Sequence, residues 1–197
     1  EEIDRRDEAP VIVKKVFNTS IQALNDTLRI LDQSALQAAA EAILAAERVL
    51  IVGAGISGMI AEDFWMKLFR INRNVACYND HTWMKMAAAV AGPADLVFAI
   101  SHSGSMKSVL DAVATAKAQG ARTIGLTNYL NSPLSKIVDI LLLTSSRESG
   151  VREEEMTSRI AQLAVIDSLF VIVANRSYET SAANLRHTRE AVADDKI

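Results

Sequence analysis

The chain has 197 residues, enough for one well-buried domain and too few for two ordinary ones. Half of its residues are hydrophobic and 5% aromatic, so the core has to be aliphatic. The formal charge of −3 excludes a basic surface that would grip nucleic acid by itself, and the single cysteine, Cys77, excludes an intrachain disulfide and points to a reducing cytoplasm.

The chain opens on a charged run, Glu1 to Glu8, unlike the apolar core of a secretory signal. No initiator methionine stands before it, as expected of a fragment trimmed from a longer protein. Val13, Phe17, Ile21, Leu24, Leu28 and Leu31 then recur at helical spacing. Ser34-Ala35-Leu36-Gln37 has the form of a capping box that opens a second helix, running to about Glu47. From there short apolar strands alternate with longer helices. The strands are Val49–Val52, Val75–Tyr78, Leu96–Ile100, Thr123–Leu126 and Ile140–Leu143; the helices between them cover about 57–71, 82–91, 106–119 and 133–137. Gly120 falls where a helix C-cap belongs. Strands separated by helices imply parallel crossovers, so the expected fold is α/β. It is a three-layer α/β/α arrangement on a five-stranded parallel sheet, with N-terminal helices added. A long helix from about Glu153 to Ala174 follows, and a last one covers Ser181–Val192. The apolar stretch Ile160–Ala174 is interrupted by Gln162, Asp167 and Ser168, so it reads as a buried helix and not as a membrane span.

Two helices are apolar over most of their circumference. One carries Met59, Trp65, Met66 and Phe69 besides the stripe Ile60, Phe64, Leu68 and Ile71; the other carries Leu163–Ile166 and Leu169–Ile172. Such helices are buried on more than one side, either in a homodimer interface or at the centre of their own chain.

Two loops carry the chemistry. The first strand ends in Gly53-Ala54-Gly55-Ile56-Ser57-Gly58, which fits the dinucleotide pattern G-x-G-x-x-G, and Asp80 stands roughly where an acidic ribose partner belongs. Against NAD or FAD are the long helical lead-in, five strands in place of six, and Ser57 within the glycine run. The third strand ends in Ser101-His102-Ser103-Gly104-Ser105-Met106, which opens a helix. Hydroxyls and backbone N–H groups at a helix N-terminus favour a phosphate. In a sheet of order 2-1-3-4-5 the first and third strands are neighbours, and both loops flank one crevice. The alternative is a pair of ordinary turns in which the serines are helix caps.

With these loops, Gly125-Leu126-Thr127-Asn128, Ser132-Pro133-Leu134 and Ser158-Arg159-Ile160-Ala161-Gln162-Leu163, the chain resembles the SIS (sugar isomerase) domain over about Glu41 to Ala174. The version it resembles most is that of RpiR-type bacterial transcriptional regulators. The resemblance implies an N-terminal helix-turn-helix domain that these 197 residues lack, and a phosphorylated sugar as effector. It implies ligand contacts by the side chains of Ser57, Ser101 and Ser103, with Gly104 and Ser105 contributing backbone. Where Met106 stands the family usually has Thr or Ser, so one hydroxyl donor is missing. Gly55, His102, Met106 and Glu153 complete the candidate ligand set. The implied division is a connector helix over 1–33 and the sugar-phosphate-binding domain over 34–197.

An aldose–ketose isomerase, the alternative activity, needs a base near the sugar. His102 and Glu153, Glu154 or Glu155 are the candidates, although carboxylates at a helix start are favoured by the dipole in any case. Arg152 and Arg159 are read as surface or subunit-contact residues. Lys107, in the first turn of the serine-loop helix, and Lys85 are read as solvated or as further phosphate contacts. His81 and His187 have no partners at ligand spacing, so no metal is expected, nor any cofactor. The expected protein is a cytoplasmic effector domain, a homodimer or tetramer without membrane contact, reaching DNA only through the missing domain.

Overall fold

The computed structural model describes residues 3–146 and 156–193. Five parallel strands, β1 (Arg48–Gly53), β2 (Val75–Tyr78), β3 (Asp95–Ile100), β4 (Arg122–Thr127) and β5 (Ile140–Leu143), form one sheet of order β2-β1-β3-β4-β5. The helices are α1 (Ala9–Ile30), α2 (Gln33–Ala45), α3 (Ile56–Arg70), α4 (His81–Ala89), α5 (Lys107–Ala118), α6 (Pro133–Ile137), α7 (Met156–Arg176) and α8 (Tyr178–Glu190). This is the expected α/β architecture in the expected order.

Helices cover both faces of the sheet, which is why the central strands are continuous apolar runs and not alternating ones. Along β1, Val49 and Ile51 join Ile43, Phe64, Leu126 and Leu169 on one side, beneath α2, α3 and α7. Leu50 and Val52 join Met84, Ala112, Val113 and Ala116 on the other, beneath α4 and α5. Phe64 meets Phe98 edge-on, with ring centroids 5.0 Å apart.

Caps define several helix ends. Asp32, not Ser34, is the N-cap of α2: its carboxylate accepts from the Ser34 and Ala35 N–H groups, and the Ser34 hydroxyl also donates to it at 2.6 Å. The expected capping box is therefore displaced by a stronger acceptor two residues earlier. At the other end of α2 the Arg73 guanidinium donates to the Ile43, Leu44 and Ala46 carbonyls. Gly120 takes φ +90° just past α5, as its position predicts.

Helix α7 packs against α1, α2 and α3 with Val165, Ile166, Leu169 and Val173 buried, while Ile160 and Val171 stay exposed. By length and composition Thr157–Arg176 would reach across a membrane, and 44% of its window is buried inside the fold. Helix α3 keeps Met59, Met66 and Phe69 exposed. Helix α1 packs on α7 through Ala23 and Thr27, while Val13, Phe17, Ile21 and Leu28 face outwards. The apolar period locates this helix but does not mark the face that the fold buries.

Candidate functional site

The register Gly53↔Ile100 places the ends of β1 and β3 side by side, so both loops open at one crevice. Above them α3 and α5 begin, on opposite faces of the sheet, and their positive ends converge there. Gly55, at φ +58°, is the N-cap residue of α3. Ser57, in the first turn, is buried, and its Oγ accepts the His102 N–H at 3.4 Å. That contact joins the glycine loop to the serine loop.

The serine loop is held from beneath. Ser101 is buried, and its Oγ accepts the Gly104 N–H at 3.2 Å. Gly104 has φ +61°, and a Cβ there would stand 2.8 Å from Thr127 Oγ1. Only glycine fits this turn without strain. The His102 carbonyl accepts from the Asn128 N–H and the Thr127 hydroxyl, each at 3.0 Å. Its ring is buried edge-on to Tyr129, with Nδ1 lacking a hydrogen-bond partner among the described residues. That pose is a wall position and does not present His102 as a proton shuttle.

Above this base Ser103 and Ser105 are exposed, their hydroxyls 3.0 Å apart. Met106 is the N-cap of α5 and supplies no side-chain hydrogen bond, so no side chain caps the first turn of N–H groups. Beside Ser103 lies an open hollow of about 500 Å³, lined by Asn128, Tyr129, Leu130, Asn131 and Ser132. Hydroxyls and free helix N–H groups around a hollow can hold a dianion and the neutral body attached to it.

A model of the SIS domain matches residues 42–172. The chain belongs to the SIS domain family. An HTH-type transcriptional regulator of Caldanaerobacter subterraneus subsp. tengcongensis is 39% identical over 196 residues, which are 99% of this chain and 69% of the relative. The structure of the Vibrio vulnificus NanR protein complexed with ManNAc-6P superposes with a TM-score of 0.87 at 26% identity, over 93% of this chain and 69% of that one. The sugar isomerase domain of an RpiR transcription factor from Sphaerobacter thermophilus gives 0.83 at 28% identity, over 93% of this chain and 99% of that one. Isomerases share the fold at lower identity, where the likeness speaks to the fold alone. This SIS domain is thus homologous to the corresponding part of RpiR- and NanR-type regulators, whose helix-turn-helix part is not in this chain.

Within the SIS domain the structure brings Gly55, Ser57, Ser101, His102, Ser103, Gly104, Ser105 and Met106 together. Glu153, with Arg152, Glu154 and Glu155, lies outside the described residues. Asp80 does not wait for a ribose: it caps α4, accepting from the Thr82 and Trp83 N–H groups. Lys107 turns back along its helix to Asp111 at 2.8 Å, and Lys85 reaches the same carboxylate at 3.5 Å, which holds the Asp111 carboxyl below the ordinary range. Both cations are drawn to Asp111 and not to the loop. No group of three or more metal-ligating side chains occurs among the described residues.

The anchoring role of Asn128 escapes sequence reasoning. Its Oδ1 accepts the Ser146 N–H at 2.8 Å, and its Nδ2 donates to the Ser146 carbonyl at 3.2 Å. The neighbouring Ser145 exchanges two hydrogen bonds with Thr27 of α1: its N–H donates to Thr27 Oγ1 at 2.9 Å, and the same hydroxyl donates to the Ser145 carbonyl at 3.2 Å. An asparagine at a strand end is the only sequence signal for the first link. The second link has none.

Proposed function

We propose that this SIS domain is the effector-sensing part of a bacterial transcriptional regulator and that its effector is a sugar phosphate. The observation that carries the reading is the convergence of the Gly53–Ser57 and Ser101–Met106 loops at two helix N-termini, joined by the His102 N–H to Ser57 contact. The phosphate sits on the Ser103 and Ser105 hydroxyls and the first N–H groups of α5, and the sugar lies in the hollow beside them. Support from outside the chain is the NanR relative, whose structure holds ManNAc-6P. Residues 1–33 form the connector and 34–197 the sensing domain, which acts in the cytoplasm without cofactor or catalytic turnover.

Response follows from a shift between two conformations of unequal affinity for the ligand. The hydrogen bonds that hold the serine loop continue through Asn128 and Ser146, then through Ser145 to Thr27. Tightening the loop around a phosphate therefore biases the seating of α1. That helix leads towards the DNA-binding domain.

Thermal-shift measurement of this chain against sugar phosphates tests the reading. A ligand at a hundredfold its Kd adds about 2.7 kcal/mol of stability, and Ser103→Ala, weakening binding about tenfold or more, cuts that to about half or less. Stabilisation by NAD, or none by any sugar phosphate, overturns it. Conversion of a bound sugar phosphate to an isomer would establish the isomerase reading in its place.

A further inference from the structure

Two cations stand beside the serine loop without serving it. Lys107 is the first residue of α5 and follows Met106 directly, and Lys85 lies on α4, which packs against α5. A lysine stem reaches about 6 Å from its Cα, enough to bring an ammonium to a phosphate held on the first N–H groups of α5. Instead the Lys107 ammonium donates to both oxygens of Asp111, at 2.9 and 2.8 Å, and Lys85 stands 3.5 Å from the same carboxylate. Asp111 lies about 6 Å further along the helix axis, so the pairing turns Lys107 away from the mouth of the crevice. Helix stability does not explain the order of this pair. A helix favours acid in its first turn and base in its last, and at a spacing of four residues it favours the acid before the base. Here a lysine opens α5, no acidic residue stands in the first turn, and the carboxylate comes four residues later. The Lys107 side chain is 84% exposed and that of Asp111 27%, so the carboxylate is the fixed member and the lysine the one free to turn.

We infer that Asp111 is a positioning residue that sets the affinity of the site: it clamps Lys107 away from the phosphate position, so that neutral hydroxyls and N–H groups hold the ligand without that cation. This rests on the phosphate reading of the serine loop and adds to it how tightly the loop binds. The Lys107 hydrogen bond holds the Asp111 carboxyl below its ordinary range, so the clamp stays charged at neutral pH. An exposed ion pair gains little over its separately hydrated partners and is screened by salt. The clamp therefore adjusts binding by a small factor and does not switch it on or off. Such an adjustment suits a sensor. Occupancy follows ligand concentration only when Kd lies near the working concentration, and a domain that bound far more tightly would stay saturated.

The test is titration with inorganic phosphate, the group common to every sugar phosphate, followed by phosphorus NMR at about 0.1 M and about 1 M ionic strength. It is run on the unaltered chain, Asp111→Asn, Lys107→Ala and the double variant. Asp111→Asn should tighten phosphate binding roughly threefold to fivefold at the lower ionic strength, the worth of one exposed ion pair. The gain should shrink at the higher one. In the Lys107→Ala background the same substitution of Asp111 should bring no gain. Unchanged or weaker binding in Asp111→Asn, a gain that survives the loss of Lys107, or a gain indifferent to salt would each overturn the proposal. The thermal-shift panel of sugar phosphates, run on the same samples, keeps the two readings apart. Binding by the unaltered chain that Asp111→Asn leaves unaltered defeats the clamp alone. Binding that begins only in Asp111→Asn supports the clamp and defeats the sensing reading, and no binding in any form defeats both. Should Asp111→Asn lose its helical circular dichroism, Asp111→Ser replaces it with the same expected and contrary results.

Discussion

Met106 occupies the N-cap of α5 with a side chain that offers no hydrogen bond and is 47% exposed. Threonine there would satisfy one first-turn N–H and add a hydroxyl beside the proposed phosphate position. Met106→Thr should therefore raise stability by about 1 kcal/mol. It should also tighten sugar-phosphate binding about tenfold, the value of one hydrogen bond to a charged group. Thermal melting and titration calorimetry read the two effects separately. At the opposite end of the sheet, Arg48 grips Asp95 with Nε at 3.1 Å and a terminal nitrogen at 2.8 Å, tying the start of β1 to that of β3. The Arg48 hydrogen bonds hold the Asp95 carboxyl below its ordinary range against the opposing effect of burial. A lowered folded value means that this stability is fully present above the unfolded pKa of about 3.9 and is lost as pH falls through the folded one. Asp95→Asn should cost about 1–3 kcal/mol at pH 7 and flatten the fall of Tm between pH 5 and pH 3, measured by calorimetry.

At the scale of elements, Thr27 is the test of coupling. Thr27→Val keeps the shape of a buried side chain and removes both hydrogen bonds to Ser145. We expect sugar-phosphate affinity within about threefold of the unaltered chain and a stability loss of about 1–2 kcal/mol. The protection that ligand confers on α1 amides in hydrogen exchange should disappear. The strands, the crossover helices and the two site loops were legible in the sequence because their causes are local: apolar runs between turns, and glycine or serine at strand ends. Helix starts were less so, since Asp32 and Asp80 compete with neighbouring polar residues for the cap, and only geometry decides. The buried face of α1 is not legible in the sequence, for a general reason. Periodicity reports where apolar residues gather, whereas Ala23 and Thr27, being small, are what let α1 approach α7 closely. The Thr27–Ser145 clasp joins residues 118 positions apart and leaves no local trace.

On the scale of the molecule, the serine loop, the Asn128–Ser146 link and α1 form one connected assembly that runs from the ligand crevice to the outward apolar row. A sensor needs that continuity; a catalyst of isomerisation needs a base poised over the sugar, and of the candidates His102 has its ring buried while Glu153, Glu154 and Glu155 lie outside the described residues. The central claim is that a phosphorylated sugar binds at the serine loop. Titration calorimetry of this chain against hexose, pentose, amino-sugar and acidic-sugar phosphates, each beside its unphosphorylated counterpart, tests it most directly. The account predicts that at least one phosphate ester binds, that its unphosphorylated form does not, and that Ser103→Ala weakens binding about tenfold or more. Binding that ignores the phosphate or survives Ser103→Ala, or no binding at all, would contradict it.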